Sequence, residues 1–331
     1  MKSRQIQLTA YPKGEPGPDH FNLVEVDLPK PGDGQVLVAN RWLSVDPYMR
    51  GRMSGMRTYV DPFPLNGPME GGAVGEVIES RSDQLKKGDW VQSMNGWRDA
   101  YVSDAKGLQK IDTSILPPQA YLGIAGLTGM TAYVGLKRII GLKEGETVWV
   151  SAGAGAVGSA SIQFAKAMGA KVVATAGGAD KVNYCKSIGA DGAVDYKATD
   201  NLAKSVREAA GGGVDAYFEN VGGSHWTAAL EVLKPKGRIA ACGMIQRYND
   251  ASAQPIPDNL TNIVAKSLKI EGFIVIDHMD LLGEFIQDLS GWMMAGKVTG
   301  EETVREGLGE MPNAFLGLFK GENLGKMLVK L

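Results

Sequence analysis

The sequence predicts an α/β protein of two parts, a β-rich one and a doubly wound parallel sheet. Three observations carry this. Roughly the first 120 residues hold short apolar and β-branched runs punctuated by Gly and Pro. From Thr147 onward, strand-like and helix-like segments alternate, which is the pattern of a parallel sheet built from βα units. Between the first strand and first helix of that series stands Ser151–Ser159 (Ser-Ala-Gly-Ala-Gly-Ala-Val-Gly-Ser), a glycine turn joining strand to helix. At 331 residues the chain is long for one domain and comfortable for two.

In the β-rich part the runs are Gln35–Ala39, Ala73–Ile78, Asp89–Gln92 and Ala100–Val102, with turns at Pro29–Gly34 and Lys86–Asp89. Short strands with such turns predict a barrel or sandwich. Gly123–Leu136 is helical in character. The strands that follow are Thr147–Ser151, Lys171–Ala176, Ala193–Tyr196, Val214–Asn220, Arg238–Gly243 and Leu268–Ile274. Helices fall between them at Ser159–Met168, Lys181–Ile188, Asn201–Ala210, Ser224–Leu233 and Asn259–Lys266. Six such strands match a complete dinucleotide-binding sheet. A further helix is expected over Leu281–Ala295. The tail Leu324–Leu331 reads as one more strand; with no helix after it, it is expected to return to the β-rich part.

Composition narrows the function. Charge is nearly balanced, 35 basic against 37 acidic residues, so no bulk field calls for nucleic acid or an anionic membrane. The start, Met1–Gln7, has charge but no apolar core of a signal peptide, and no run approaches the length of a membrane span. With two cysteines, Cys185 and Cys242, a disulfide framework is not expected and a reduced, cytoplasmic setting is.

Gly153, Gly155 and Gly158 fit G-x-G-x-x-G, and Ala156 and Val157 open the helix beside them. The first glycine allows the turn, the second lets a pyrophosphate approach the backbone, and the third lets helix and strand pack closely. The phosphates then meet N–H groups at a helix N-terminus. An NAD site places an acid about 20 residues on, at the ribose 2′-OH. The strand end here, Ala174–Gly178, has none, which favours a 2′-phosphate and hence NADPH. Lys181 is placed to meet that phosphate as a point charge, and Tyr196 to donate its hydroxyl to it. Asn220 and Gly222, after the fourth strand, stand where ligands sit in open α/β sheets.

Longer segments then match a known family. They are Leu43–Arg50 (Leu-Ser-Val-Asp-Pro-Tyr-Met-Arg), Leu122–Tyr133, Ser151–Ser159, Asp195–Lys197, Glu219–Gly223, Cys242–Asn249 and Asn323–Lys326. The chain resembles the zinc-free branch of the medium-chain dehydrogenases/reductases, the branch of leukotriene B4 12-hydroxydehydrogenase/prostaglandin reductases, plant double-bond reductases and bacterial curcumin reductases. The resemblance implies a GroES-like β-barrel domain, residues 1–124 completed by 300–331, and an inserted NADP-binding Rossmann domain, residues 125–299. It implies NADPH, a cleft between the domains, reduction of the C=C bond of α,β-unsaturated ketones or aldehydes, and a homodimer. By the same resemblance Lys181 and Tyr196 meet the 2′-phosphate, Asn220 and Asn323 contact the cofactor near its nicotinamide, and Cys242 lies with them. Tyr248 stands beside the nicotinamide ribose and the substrate, and Tyr48 lines the substrate pocket. Arg247 departs from the small residue frequent in prostaglandin-type members.

The wider superfamily includes zinc enzymes, and a catalytic zinc needs three protein ligands. The chain has His20, His225 and His278 besides its two cysteines, and Met69–Gly72 (Met-Glu-Gly-Gly) fills the stretch where a ligand histidine would fall by resemblance. No metal is expected. Without a Lewis acid an alkoxide has little to stabilise it. Reduction of an activated alkene instead develops enolate charge on a carbonyl oxygen, which one or two hydrogen-bond donors can stabilise. Tyr248 and Tyr48 are the candidate catalytic donors, with the ribose hydroxyl, and a Tyr or water protonates the α-carbon. Arg50 and Arg52 read as structural, Trp42 and Trp97 as core, and Met49–Met56, with Gly51 and Gly55, as a mobile lid. Two other functions stay open: a zinc-free quinone reductase, and an NADPH-binding protein without turnover.

Overall fold

Seven strands lead the chain: β1 (Lys2–Leu8), β2 (Phe21–Asp27), β3 (Gln35–Ser44), β4 (Ala73–Ser80), β5 (Trp90–Ser93), β6 (Ala100–Asp104) and β7 (Gln109–Lys110), with one helical turn, α1 (Met49–Arg52), after β3. Next come α2 (Leu127–Val134), β8 (Thr147–Val150), α3 (Ala156–Ala167), β9 (Lys171–Ala176), α4 (Ala179–Ser187), β10 (Gly192–Asp195), α5 (Leu202–Ala210) and β11 (Val214–Glu219). They are followed by α6 (Gly223–Val232), β12 (Leu233–Ala241), α7 (Thr261–Ala265), β13 (Lys269–Gly272) and α8 (Leu282–Met294). The chain closes with β14 (Glu302–Glu306), α9 (Met311–Lys320) and β15 (Lys326–Lys330). The computed structural model describes residues 1–250, 252 and 257–331. They form two units, Met1–Gly123 with Glu302–Leu331, and Ile124–Glu301.

In the first unit, one sheet runs β14-β15-β3-β4-β5-β7, with β6 also on β3, and β1 and β2 form an antiparallel pair. The tail does return as expected: β15 pairs antiparallel with β3, Leu328 opposite Ser44 and Val329 opposite Leu43. The structure adds the β1–β2 pair, β14 and α9, which carry weaker sequence signals. Glu302–Glu306 (Glu-Thr-Val-Arg-Glu) has the polar composition of an exposed edge strand. The core holds Trp97, stacked on Phe21 and met edge-on by Phe315. The Met49–Met56 reading needs correction. Met49 and Met53 are fully buried in this core, while Gly51, Gly55 and Met56, the last 68% exposed, reach solvent. The segment begins as a helical turn anchored by two apolar side chains.

In the second unit the sheet order is β10-β9-β8-β11-β12-β13, parallel throughout. Chain order reverses between β8 and β11, the switch point at whose carboxyl ends ligands bind in such sheets. Trp149, Tyr217 and Ile239 fill the core against Leu230 and Val232 of α6. Helix α3 begins at Ala156, earlier than the sequence predicts, because Gly158 lets its first turn lie against the glycine loop. No helix of the described residues is long and apolar enough to cross a membrane.

Candidate active site

The glycine turn leaves β8 at Ser151. Its Gly153 N–H donates to Thr175 O of β9 (2.9 Å), which seats the turn on the neighbouring strand. Ala152 holds a left-handed φ of +48°, an uncommon conformation for a residue with a side chain. A Cβ on Gly158 would stand 2.1 Å from the Ala152 carbonyl oxygen, and one on Gly153 would stand 2.9 Å from the Ala174 side chain. Gly155 caps α3, and no side chain caps that end. The first-turn N–H groups, including those of Ala156 and Val157, therefore face a ready anion site.

Beyond the next strand, Tyr196 and Lys197 converge on Gly177, and Lys181 lies close enough to feel the Lys197 charge. A Cβ on Gly177 would lie 2.9 Å from Lys197 Cε and 3.0 Å from Tyr196 Oη. Burial and then the Lys197 charge lower the Lys181 pKa. Neither lysine forms an ion pair among the described residues, so two cations share one spot without a carboxylate to neutralise them. Asp195 stands two residues before Lys197, but its Oδ1 accepts from the Gly178 and Lys197 N–H groups, both at 3.0 Å. The Tyr196 ring meets His225 edge-on at 5.1 Å. Burial pushes His225 down to about 4, so it is neutral and adds no charge here.

At the ends of β11 and β12 two further turns meet. Asn220 Nδ2 donates to Ser151 O (2.8 Å), tying this turn to the glycine turn. Gly222, at φ +86°, packs beside Met244. Cys242 N–H donates to Glu219 O (3.0 Å), and burial pushes its thiol up to about 12. Ile245 N–H donates to Asn220 O (3.2 Å). Tyr248, next after the short helical turn Ile245–Arg247, folds back so that its Oη would lie 3.2 Å from a Cβ on Gly243. The expected residues Gly153, Gly155, Ala156, Val157, Gly158, Lys181, Tyr196, Asn220, Gly222, Cys242 and Tyr248 thus all stand at the carboxyl ends of β8 to β12. Lys197, Ser151 and Glu219 join them and were not singled out from sequence. The signal for Glu219 was a charged residue ending an apolar strand, Val214–Glu219.

Tyr48 and Asn323 belong to the other unit. Tyr48 is partly buried against its core. Burial, and then Asp46, push its phenol well above the ordinary tyrosine value, so it stays protonated and able to donate. Asp46 in turn accepts from Ser44 Oγ and from Lys326 Nζ (2.8 Å), and Lys326 also donates to Val45 O (2.7 Å). Asn323 Nδ2 donates to Gly325 O (2.9 Å) in the same closing segment. Arg50 donates to Gly14 O, and Arg52 pairs with Glu70 and lies over the Phe63 ring; both arginines are buried. They serve structure, as expected. Among the described residues no three His, Cys, Asp or Glu side chains gather as a metal site.

Comparison with known proteins agrees with this geometry. Residues 4–111 match the family model described as the N-terminal domain of oxidoreductase, and residues 156–290 the one described as zinc-binding dehydrogenase. The chain is 38% identical to the NADPH-dependent curcumin reductase of Escherichia coli (strain K12), over 100% of this chain and 97% of that protein. It is 40% identical to prostaglandin reductase 1 of Mus musculus, over 100% and 99%. The crystal structure of CurA in complex with NADPH from Vibrio vulnificus superposes with a TM-score of 0.94 at 37% identity, covering 99% and 98%. The chain belongs to the medium-chain dehydrogenase/reductase family, in its zinc-free branch.

Proposed function

We propose that the protein is an NADPH-dependent reductase of the C=C bond in small α,β-unsaturated ketones and aldehydes. One observation carries the cofactor: an uncapped helix start beside a glycine turn, with a tyrosine hydroxyl and two lysines nearby that form no ion pair among the described residues. The pair fits a 2′-phosphate, and the glycine turn fits a pyrophosphate. The family, and relatives named as curcumin and prostaglandin reductases, support the alkene as acceptor.

When bound, NADPH supplies a hydride to the β-carbon of the acceptor. In this reading Lys181, Lys197 and Tyr196 hold the 2′-phosphate, and Gly153, Gly155, Ala156, Val157 and Gly158 hold the pyrophosphate. Asn220, Gly222, Cys242 and Asn323 contact the nicotinamide half. Tyr248 Oη donates to the carbonyl oxygen as negative charge develops there, which is the electrostatic stabilisation an enolate needs. Tyr48, kept protonated by its surroundings, lines the acceptor and is the second donor. The α-carbon takes its proton from a tyrosine or from water.

The test follows nicotinamide absorbance with NADPH and then NADH against a panel of enals, enones and quinones. Oxidation of NADPH by enals or enones is expected. No oxidation by any acceptor would overturn the reading, and turnover of quinones alone would favour a quinone reductase. Two coarser features complete the proposal. β13 ends its sheet, with Val264 and Ile276 exposed nearby, which supports a homodimer paired through that edge. Two free thiols, Cys185 and Cys242, support a cytoplasmic setting.

A further inference from the structure

A buried polar contact that the chemistry above does not use joins the cofactor-facing turns. Glu219 ends β11 with no exposed surface. Its Oε1 accepts from the backbone N–H groups of Val221 and Gly222, the latter at 3.0 Å. The same oxygen lies 3.3 Å from Ser151 Oγ, whose single proton is shared between it and Phe218 O. Ser151 is equally buried and is the residue from which the glycine turn springs. Its hydroxyl accepts from Asn220 N–H (2.9 Å) and its carbonyl from Asn220 Nδ2. The Glu219 carbonyl meanwhile accepts from Cys242 and Gly243 N–H, at 3.0 and 3.1 Å. One residue therefore touches the Asn220 turn through its carboxyl, the Cys242–Tyr248 segment through its carbonyl, and the glycine turn through Ser151.

A glutamate is a costly choice for so dry a position, since an isolated buried carboxylate is strongly disfavoured. No lysine or arginine pairs with it among the described residues. Its Oε2 makes no hydrogen bond there, and neither does Tyr217 Oη, which lies on the same face of β11 two residues earlier. Burial pushes both groups up, while the Val221 and Gly222 amides pull the carboxyl the other way.

We propose that Glu219 and Ser151 form a latch that holds the three cofactor-facing turns in register, so that Glu219 positions NADPH without touching it. This rests on the NADPH reading above. The test titrates full-length protein with NADPH by nicotinamide fluorescence and measures thermal unfolding without cofactor. Glu219→Ala strands two backbone donors and is expected to raise the NADPH Kd about tenfold to thirtyfold. Glu219→Gln retains the Oε1 acceptor and should recover most of that loss. Ser151→Ala keeps Glu219 but cuts the tie to the glycine turn; its Kd should rise about fivefold with little change in cofactor-free melting. A residue that merely filled space would lower the melting temperature and leave Kd alone. Wild-type Kd in Ser151→Ala and in folded Glu219→Ala would overturn the proposal, as would Glu219→Gln binding as weakly as Glu219→Ala. If Glu219→Ala does not fold, wild-type Kd in Ser151→Ala overturns the proposal by itself, as would Glu219→Gln binding NADPH more than about tenfold more weakly than wild type. Wild-type protein that does not bind NADPH would overturn the cofactor reading itself, and the latch with it.

Discussion

Replacing Gly158 by alanine would place a methyl group 2.1 Å from the Ala152 carbonyl oxygen and 2.8 Å from its carbon. Both are backbone atoms, so no rotamer change relieves the clash. Bringing the contact to 3.0 Å alone, still tighter than nine in ten real Cβ contacts, requires α3 and the glycine turn to part by about 0.9 Å. Overpacking of this kind costs about 1–3 kcal/mol. For a domain of this size that is a fall of about 3–10 °C in melting temperature. The same displacement moves the first-turn N–H groups of α3 away from the pyrophosphate, and a misplacement near 1 Å can cost about 100-fold in a precisely positioned site. Gly155→Ala is the control. Its Cβ would meet only Ala152 O, at 3.3 Å, and its φ of −83° suits alanine. That variant should melt like wild type yet bind NADPH poorly, because its methyl group stands where the pyrophosphate approaches. The assay is differential scanning fluorimetry alongside NADPH titration. A Gly158→Ala protein with wild-type melting and wild-type affinity would refute the close-packing argument, and a Gly155→Ala protein with wild-type affinity would refute the phosphate cradle.

Other outcomes follow from the same geometry. Lys181→Ala should raise the NADPH KM about tenfold and leave the NADH KM unchanged, in steady-state assays with each cofactor. The Lys181 pKa is lowered from 10.5, by burial and then by Lys197, and only the cationic form below that pKa attracts a phosphate. NADPH affinity should therefore hold at neutral pH and fall as pH rises through a value under 10.5, while NADH affinity stays flat and Lys181→Ala abolishes the difference. Tyr248→Phe should lower kcat about 100-fold with NADPH Kd unchanged; an unchanged kcat removes this hydroxyl from the chemistry. Lys326→Met leaves the Asp46 carboxylate buried without its cation and should cost about 3–5 kcal/mol in urea unfolding, and an unaltered unfolding midpoint would contradict the buried pair.

Much of the second unit is legible because its signals are local. Strand β9, Lys171–Ala176, and helix α5 begin and end within a residue of their predicted bounds, since β-branched runs and capping residues such as Asn201 act over a few positions. The glycine spacing, the missing acid at Ala174–Gly178 and Lys181 are equally visible in one dimension. Strand β14 was not, because its polar residues form a strand only when β15 offers a partner. Met49 and Met53 read in sequence as part of a lid with Gly51 and Gly55, and only packing shows them to be core.

The sequence by itself determined the fold class, the glycine turn and the nature of the cofactor. Each depends on backbone freedom, charge or periodicity carried by neighbouring residues. Tertiary structure alone brought Lys197 beside Lys181, set Asp46 against Lys326 across 280 residues, and placed Glu219 beneath three turns. Hydrogen bonds and charge pairs act over a few ångströms of space, and the sequence does not carry the distance between residues that only the folded chain makes neighbours.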